Sequence, residues 1–118
     1  MDSILTSVKK MLGIAEEYEH FDADIIMHIN SVFVILNQIG AGPEEGFSIA
    51  DKHAIWDDFL GGSPKLEMVK TYMFKKVQLM FDPPNSSALA DSMNRVINEL
   101  EWRISVAVDP VITEESET

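Results

Sequence analysis

A pair of prolines, Pro83-Pro84, constrains the fold of this chain more than any other feature of its sequence. Pro83 has no amide hydrogen to donate, and its ring disfavours a helical backbone at Asp82 before it. On both sides of this break the apolar residues recur with helical spacing, and a polar residue within 85–87 can cap the second helix. The sequence therefore predicts a helical hairpin over residues 64–108.

The two helices of this hairpin differ in their apolar pattern. The first, over residues 64–81, carries apolar side chains on most of its sides, so it is either central to a bundle or shared with another subunit. The second reaches about Val108 and has one apolar stripe with polar residues opposite. That stripe consists of Leu89, Met93, Val96, Ile97, Leu100 and Ile104.

Trp102 falls outside the apolar stripe of the last helix, on the polar side near Arg95 and Asn98. Two interpretations stay open. Either the connection formed by residues 40–63 folds over this side chain, or Trp102 anchors a protein–protein contact, since Trp and Arg are favoured at the centres of interfaces. For Trp56, in the connection itself, we expect a place in the core.

A short helix is predicted at the start of the chain. Asp2 or Ser3 can cap it, Lys9 and Lys10 suit its C-terminal end, and Gly13 can end it.

A second helix is predicted to begin with Asp22 as its N-cap and to end at the sequence GAGP. Its many isoleucines and valines would also suit a strand. Strict alternation fails, however, whereas Ile25, Ile29, Val32 and Leu36 share one helical face, so the helix is favoured.

The connection over residues 40–63 has apolar residues of its own, and we expect it to pack on the bundle or on a neighbour. An extended piece is predicted around Phe47 and Ile49, followed by a short helix that Asp51 would cap. The predicted fold is therefore all-α: a small antiparallel bundle of about four helices plus a short helix in the connection.

Length and composition are those of one small domain. The 118 residues would form a single helical domain over residues 1–108, followed by an acidic tail, 109–118, that we expect to be flexible unless docked. The chain has no cysteine, no apolar run near the roughly 20 residues of a membrane span, and no signal-peptide pattern at its start. We therefore expect a soluble intracellular protein without disulfides or membrane contact.

The net charge of −11 is unevenly distributed. Residues 13–64 contain ten acids and one base, whereas residues 65–81 contain four lysines and one acid. Tight binding to a phosphate backbone needs clustered lysines and arginines, so this composition argues against a protein that grips nucleic acid.

Patterns of catalytic or ligand-binding residues are absent from the sequence. The three histidines have none of the spacings of zinc sites, and the pairs of adjacent acids match no calcium-binding loop. The glycines of GAGPEEG lack the lysine of a phosphate-binding loop. We expect no enzymatic activity, no metal and no cofactor.

Several turn and packing motifs nevertheless occur in a characteristic order. They are Asn37-Gln38-Ile39-Gly40 with Gly42-Pro43, the segment from Trp56 through Phe59 and Leu60 to Gly61, Phe81-Asp82-Pro83-Pro84, and Leu100-Glu101-Trp102-Arg103. In this order, over residue 1 to about residue 105, they resemble the small head–tail connector proteins of tailed bacteriophages, which are also described as DNA-packaging proteins.

The resemblance implies a structural subunit of the virion that assembles as a ring, commonly of twelve copies. Such a ring docks beneath the portal protein at the head–tail junction, extends the DNA channel, and offers a platform to head-completion or tail proteins. DNA passes through the lumen without sequence-specific binding. Similar proteins grip the portal with a C-terminal segment, here about residues 105–118. During assembly the subunit would be in the host cytoplasm.

A ring subunit needs surface for its neighbours. Our hypothesis for the subunit or portal interface comprises Trp102, Arg95, Arg103, Lys65, Lys70, Lys75, Lys76, Met68 and Phe74. The lysines would meet the acidic 13–64 region of the next subunit. The alternative function is a small acidic helical regulator that binds another protein and acts as a monomer or dimer.

Overall fold

A computed structural model of the protein describes residues 3–60 and 66–108, with the side chains of the second stretch up to residue 106. Within these stretches the chain forms five helices, which confirms the all-α prediction. They are α1 (Ile4–Met11), α2 (Asp22–Gln38), α3 (Trp56–Leu60), α4 (Leu66–Phe81) and α5 (Ser87–Val108).

The first helix is capped as the sequence predicts. The Ser3 side chain accepts a hydrogen bond from the Thr6 backbone amide at 3.1 Å. The helix ends before Gly13, whose φ of +80° suits glycine.

The start of α2 differs from the prediction that Asp22 is its N-cap. Phe21 occupies the cap position without a side-chain hydrogen bond, and Asp22 is the first helical residue. Its Oδ1 atom instead lies 2.8 Å from Nζ of Lys9, in the geometry of an ion pair rather than of a hydrogen bond. The predicted capping role of Asp22 is wrong because a buried cation competes for its carboxylate.

Lys9 is almost fully buried, with 2 % of its surface exposed. Besides the ion pair with Asp22, its Nζ donates hydrogen bonds to the backbone oxygens of Glu16 at 2.8 Å and Tyr18 at 2.7 Å. This ammonium group therefore fastens the loop between α1 and α2 to the end of α1.

The fourth helix is the centre of the bundle. It packs on α1, α2 and α5, and it buries Val69, Tyr72, Met73 and Val77. This arrangement explains why its apolar residues lie on most of its sides. The break after Phe81 is where the sequence predicts it, and Ser86 Oγ accepts a hydrogen bond from the Leu89 amide at 3.3 Å at the start of α5.

The helix of the connection, α3, begins only at Trp56, and Asp51 does not cap it as the sequence predicts. The Asp51 carboxylate accepts a hydrogen bond from the nearby His53 amide at 2.8 Å, which forms a local turn. Asp58, inside α3, accepts one from the Ile55 amide at 3.1 Å. The prediction for Asp51 is wrong because its side chain satisfies the turn before the helix begins.

Side-chain hydrogen bonds fix the connection on α1 and α2. The Asn30 amide group donates to the Ile49 carbonyl at 3.0 Å and accepts from the Ile49 amide at 2.8 Å. The indole nitrogen of Trp56, which is buried, donates to Ser7 Oγ at 2.9 Å. Ile49 and Trp56 of the connection are thus held against the subunit's own bundle.

Candidate interaction surfaces

The side chain of Trp102 is 64 % exposed. In the described part of the connection, Ile49 and Trp56 are hydrogen-bonded to α2 and α1 instead. The interpretation that residues 40–63 shield this tryptophan is therefore wrong. That Trp102 contacts another protein remains a prediction.

Trp102 belongs to an outer face of α5, which we define by Arg95, Trp102 and Val106. At 100° per residue these three positions lie opposite Ile97 and Ile104, the two residues by which α5 enters the core. Val106 is half exposed, and Arg95 is exposed. This face of the helix is therefore turned to solvent with its largest apolar side chain uncovered.

The predicted apolar stripe of α5 is only partly buried. Ile97 and Ile104 are inside, Met93 and Leu100 are intermediate, and Leu89 and Val96 are exposed. The end of the helix nearest the proline break therefore keeps apolar surface that the subunit itself does not cover.

The charges of Arg95 and Arg103 are used differently. Arg103 donates two hydrogen bonds to Glu99 Oε2, at 2.9 Å from Nε and 2.7 Å from Nη2, and both side chains are exposed. Arg95 makes a long contact of 3.5 Å with Ser92 Oγ. Among the described residues no carboxylate forms an ion pair with Arg95. Its charge is the one available on the outer face of α5.

A second exposed surface lies on α2, and it is not among the residues predicted from the sequence. Its outer face, which we define by Met27, Ser31, Val34 and Gln38, lies opposite the buried stripe of that helix. Met27 is 59 % exposed and Val34 is 57 % exposed. The available signal was the absence of any Asp, Glu, Lys or Arg between residues 24 and 44, which is unusual for a helix with a solvent-facing side.

A match to a known protein family identifies the kind of protein that has these surfaces. Residues 4–111 match the family of phage connector proteins. The chain belongs to this family. Searches among curated proteins and among solved structures each gave no significant match. The family match confirms the resemblance seen in the sequence, and it supports a structural connector role rather than the regulatory alternative.

The lysines of α4 lie at different depths in the connector. Lys70 is largely buried, with Nζ 5.8 Å from the centre of the Trp56 ring and 4.0 Å from Glu67. Lys75 and Lys76 are half-buried. Lys65 lies outside the described residues. The structure therefore brings Lys70 to the core side of α4.

Met68 and Phe74, which are also predicted from the sequence to lie at an interface, pack partly against the core of the connector. The Phe74 ring meets the Trp56 ring edge-on, with centroids 6.1 Å apart. Only part of each side chain remains for a neighbour.

The sequence motifs on which the resemblance rests form turns and packing contacts. Asn37 Nδ2 donates to the carbonyls of Pro43 and Glu44, at 3.2 and 3.3 Å, and so closes the glycine-rich turn after α2. Gly40 and Gly42 have positive φ angles of 92° and 86°, which glycine adopts without strain. In this turn Gln38 is exposed, and Pro43 is half-buried.

Two further motifs contribute aromatic rings to packing contacts. Phe59 is buried against Phe33 and Phe47, with ring centroids 4.7 and 5.3 Å away, and Leu60 packs beside this cluster. At the break after α4, the Phe81 ring meets the Phe21 ring edge-on, with centroids 5.4 Å apart. Pro83 is exposed, and Pro84 is half-buried.

An open cavity of about 280 Å³ lies between the connection and the start of α2 of the connector, lined by Leu5, Asp22, Ile26, Lys52 and His53 among others. Within the described stretches, no three His, Asp or Glu side chains are grouped to hold a metal ion. None of the helices described here is long and apolar enough to cross a membrane.

Proposed function

We propose that this phage connector is a ring subunit at the head–tail junction, where it docks beneath the portal, extends the DNA channel and offers a platform to head-completion or tail proteins. The observation that carries the proposal is the exposed Trp102 on the outer face of α5. A large uncovered aromatic side chain on a structural protein is typical of an interface anchor. Membership of the connector family supplies the kind of assembly in which that anchor is used.

The charge of the chain supports a role as a conduit. Each subunit has a net charge of −11, and a ring of twelve copies would carry on the order of 130 negative charges before counterions bind. Such a ring repels DNA phosphates, so DNA slides through it without being held.

Contact with the next subunit also involves charge in this proposal. Lys75 and Lys76, with Lys65 and Lys70 nearby in sequence, face the acidic 13–64 region of a neighbour. Reversing Lys75 and Lys76 to Glu should weaken assembly. Reversing an acidic pair such as Glu44-Glu45 to Lys should then restore it, and failure of every acidic pair to rescue would remove this part of the proposal.

The portal contact is assigned to about residues 105–118. Most of this segment, 109–118, lies outside the described residues, and its assignment comes from the resemblance to other connectors. Its acidic composition suits a basic surface on the portal.

Complementation of incomplete heads tests the proposed function. DNA-filled heads made in an infection that lacks this chain are mixed with the purified protein, and bound protein and joined tails are scored by electron microscopy. We expect the protein to bind at one vertex of each head and to restore tail attachment. The Trp102→Ala variant should restore less, with Tyr18→Phe, a change at another exposed aromatic, as the control. Heads that neither bind the protein nor gain tails would contradict the proposal.

A further inference from the structure

We infer that the outer face of α5 in one subunit packs on the outer face of α2 in the next subunit. This inference rests on the ring proposed above, and it names the two surfaces that meet. The partner is a second copy of this chain, approached by its other side.

The outer faces of α2 and α5 have different positions in the subunit. The central helix α4 packs on both α2 and α5, whereas α2 and α5 have at most marginal contact with each other. Each of these helices turns its buried stripe inward and its outer face away from that stripe. The two outer faces therefore lie on different sides of the subunit, so one copy can offer α5 while the next offers α2.

The two outer faces are chemically complementary. The outer face of α2 exposes Met27 and Val34 and has no charged residue between them. Met is adaptable in shape, and its sulfur makes favourable contacts with aromatic rings. An exposed tryptophan such as Trp102 is the complementary anchor, because burying its ring between apolar side chains removes both surfaces from water.

The charges beside the apolar residues have matching spacings on the two outer faces. Along α5, Arg95 precedes Trp102 by about 10.5 Å, from a rise of about 1.5 Å per residue. Along α2, Asp24 precedes the midpoint of Met27 and Val34 by about 10 Å on the same basis. If Trp102 sits between Met27 and Val34, with the helices in the same direction, Arg95 comes beside the exposed Asp24. The apolar contact and the ion pair then form in one register.

This register also brings Val106 opposite Val34. Val106 follows Arg95 by about 16.5 Å and Val34 follows Asp24 by about 15 Å along their helices. Because two different faces meet, each subunit keeps one face free for another copy. Such a heterologous contact continues from subunit to subunit until a ring closes, whereas contact between identical faces would stop at a dimer.

Disulfide trapping tests the pairing directly, since the chain has no cysteine of its own. The double variant V34C/V106C is oxidised mildly, both free in solution at high concentration and bound to the incomplete heads described above. We expect a ladder of covalent multimers on non-reducing gels. The matched control is V34C/L89C, which places the second cysteine on another exposed flank of α5, and it should give no ladder.

Variants with a single cysteine distinguish contact between different faces from contact between identical faces. A mixture of V34C and V106C chains should give a covalent dimer with one chain of each kind, and neither variant alone should give a dimer. In sedimentation, Trp102→Ala should weaken self-association by about 30-fold in dissociation constant, the loss typical of an interface hot spot. Circular dichroism checks that each variant keeps its helices.

The outcomes separate this inference from the proposed function. If the protein binds heads and restores tails but V34C/V106C cross-links no more than V34C/L89C, the pairing of α5 with α2 is wrong and the connector role stands. Dimers formed by V34C alone or by V106C alone would also overturn the pairing. If heads neither bind the protein nor gain tails, the proposed function is wrong. If the double variant also gives no ladder in solution, the pairing of α5 with α2 is wrong as well.

Discussion

The hydroxyl of Tyr72 on α4 donates a 2.7 Å hydrogen bond to Glu101 Oε2 on α5. Tyr72 is completely buried, and Glu101 is half-buried next to the exposed Trp102. The bond joins a residue before the proline break to one after it, so it fixes how the two helices of the hairpin lie along each other. The position of the outer face of α5 thus depends on a buried polar contact.

Replacing Tyr72 with Phe should lower the free energy of unfolding by about 1–3 kcal/mol, because a half-buried carboxylate loses a hydrogen-bond donor. Urea denaturation followed by circular dichroism measures the change. The control is Tyr18→Phe. Tyr18 is the other tyrosine of the chain and is exposed, so this substitution should change stability little. Equal stability of Tyr72→Phe and the unaltered protein would show that the bond does not hold the hairpin.

The same contact predicts how stability depends on alkaline pH. Burial above all, then the hydrogen bond to Glu101 and the negative charge of Glu101, raise the pKa of Tyr72 above its usual value of 10.0. Above about pH 10 the unfolded chain therefore loses the Tyr72 proton while the folded chain keeps it. Because the folded state then binds more protons, its stability falls as pH rises, with a slope of about 1.4 kcal/mol per pH unit from this group.

Denaturation series from about pH 9 to about pH 11 check this slope. The Tyr72→Phe variant lacks the group, so its curve should be shallower than that of the unaltered protein, whereas Tyr18→Phe should keep the full slope. Lysines also titrate in this range, and comparing variants with the same lysines removes their contribution. Parallel curves for all three proteins would contradict the prediction.

Helix positions could be predicted from the sequence, because they follow from local chemistry. The backbone restriction at Pro83 and the apolar spacing on both sides determine where α4 ends and α5 begins. Caps were less predictable. Asp22 and Asp51 are good capping residues by type, but one pairs with a buried lysine and the other closes a turn. A local preference does not reveal a competing partner that only the folded chain brings near.

The candidate surfaces were predictable to a different extent. Trp102 could be recognised because it falls outside the apolar stripe of its own helix. Whether the connection covers it depends on the docking of Asn30 and Trp56, which no local pattern encodes. The buried face of α2 could be predicted from helical spacing, but the sequence does not show that Met27 and Val34 on its outer face stay uncovered. The predicted face is the one that is buried, where α2 packs on α1 and α4.

Replacing Lys9 with Met should lower the free energy of unfolding by about 2–4 kcal/mol. The change removes two hydrogen bonds to backbone oxygens and leaves Asp22 without its cation. The expected loss of stability is slightly smaller than that for breaking a fully buried ion pair. The matched control is Lys10→Met, because Lys10 is the next residue of α1 and is exposed.

Chemical denaturation gives the stability difference, and amide hydrogen exchange locates it. Faster exchange in Lys9→Met should concentrate in residues 14–21, the loop that Lys9 fastens. If Lys9→Met and Lys10→Met lose the same stability, or if the loop exchanges no faster, the buried ammonium group does not organise this part of the fold.

Two glycines of the connection allow backbone strain to be separated from overpacking. Gly42 and Gly46 both have positive φ angles, of 86° and 94°. A Cβ atom at Gly42 would overlap the ring of Phe59, whereas one at Gly46 would meet nothing within 4 Å. Gly46→Ala should therefore cost only the backbone strain, about 1–2 kcal/mol.

Gly42→Ala adds the displacement of a buried ring to the same strain, so it should cost about 1–3 kcal/mol more than Gly46→Ala. Urea denaturation of both variants measures the difference, and near-ultraviolet circular dichroism should report a disturbed aromatic cluster for Gly42→Ala alone. A double variant with Phe59→Leu should recover part of the extra loss, because the smaller side chain leaves room for the methyl group. Equal losses for both glycines would show that the Phe59 ring yields freely and that close packing does not require glycine at residue 42.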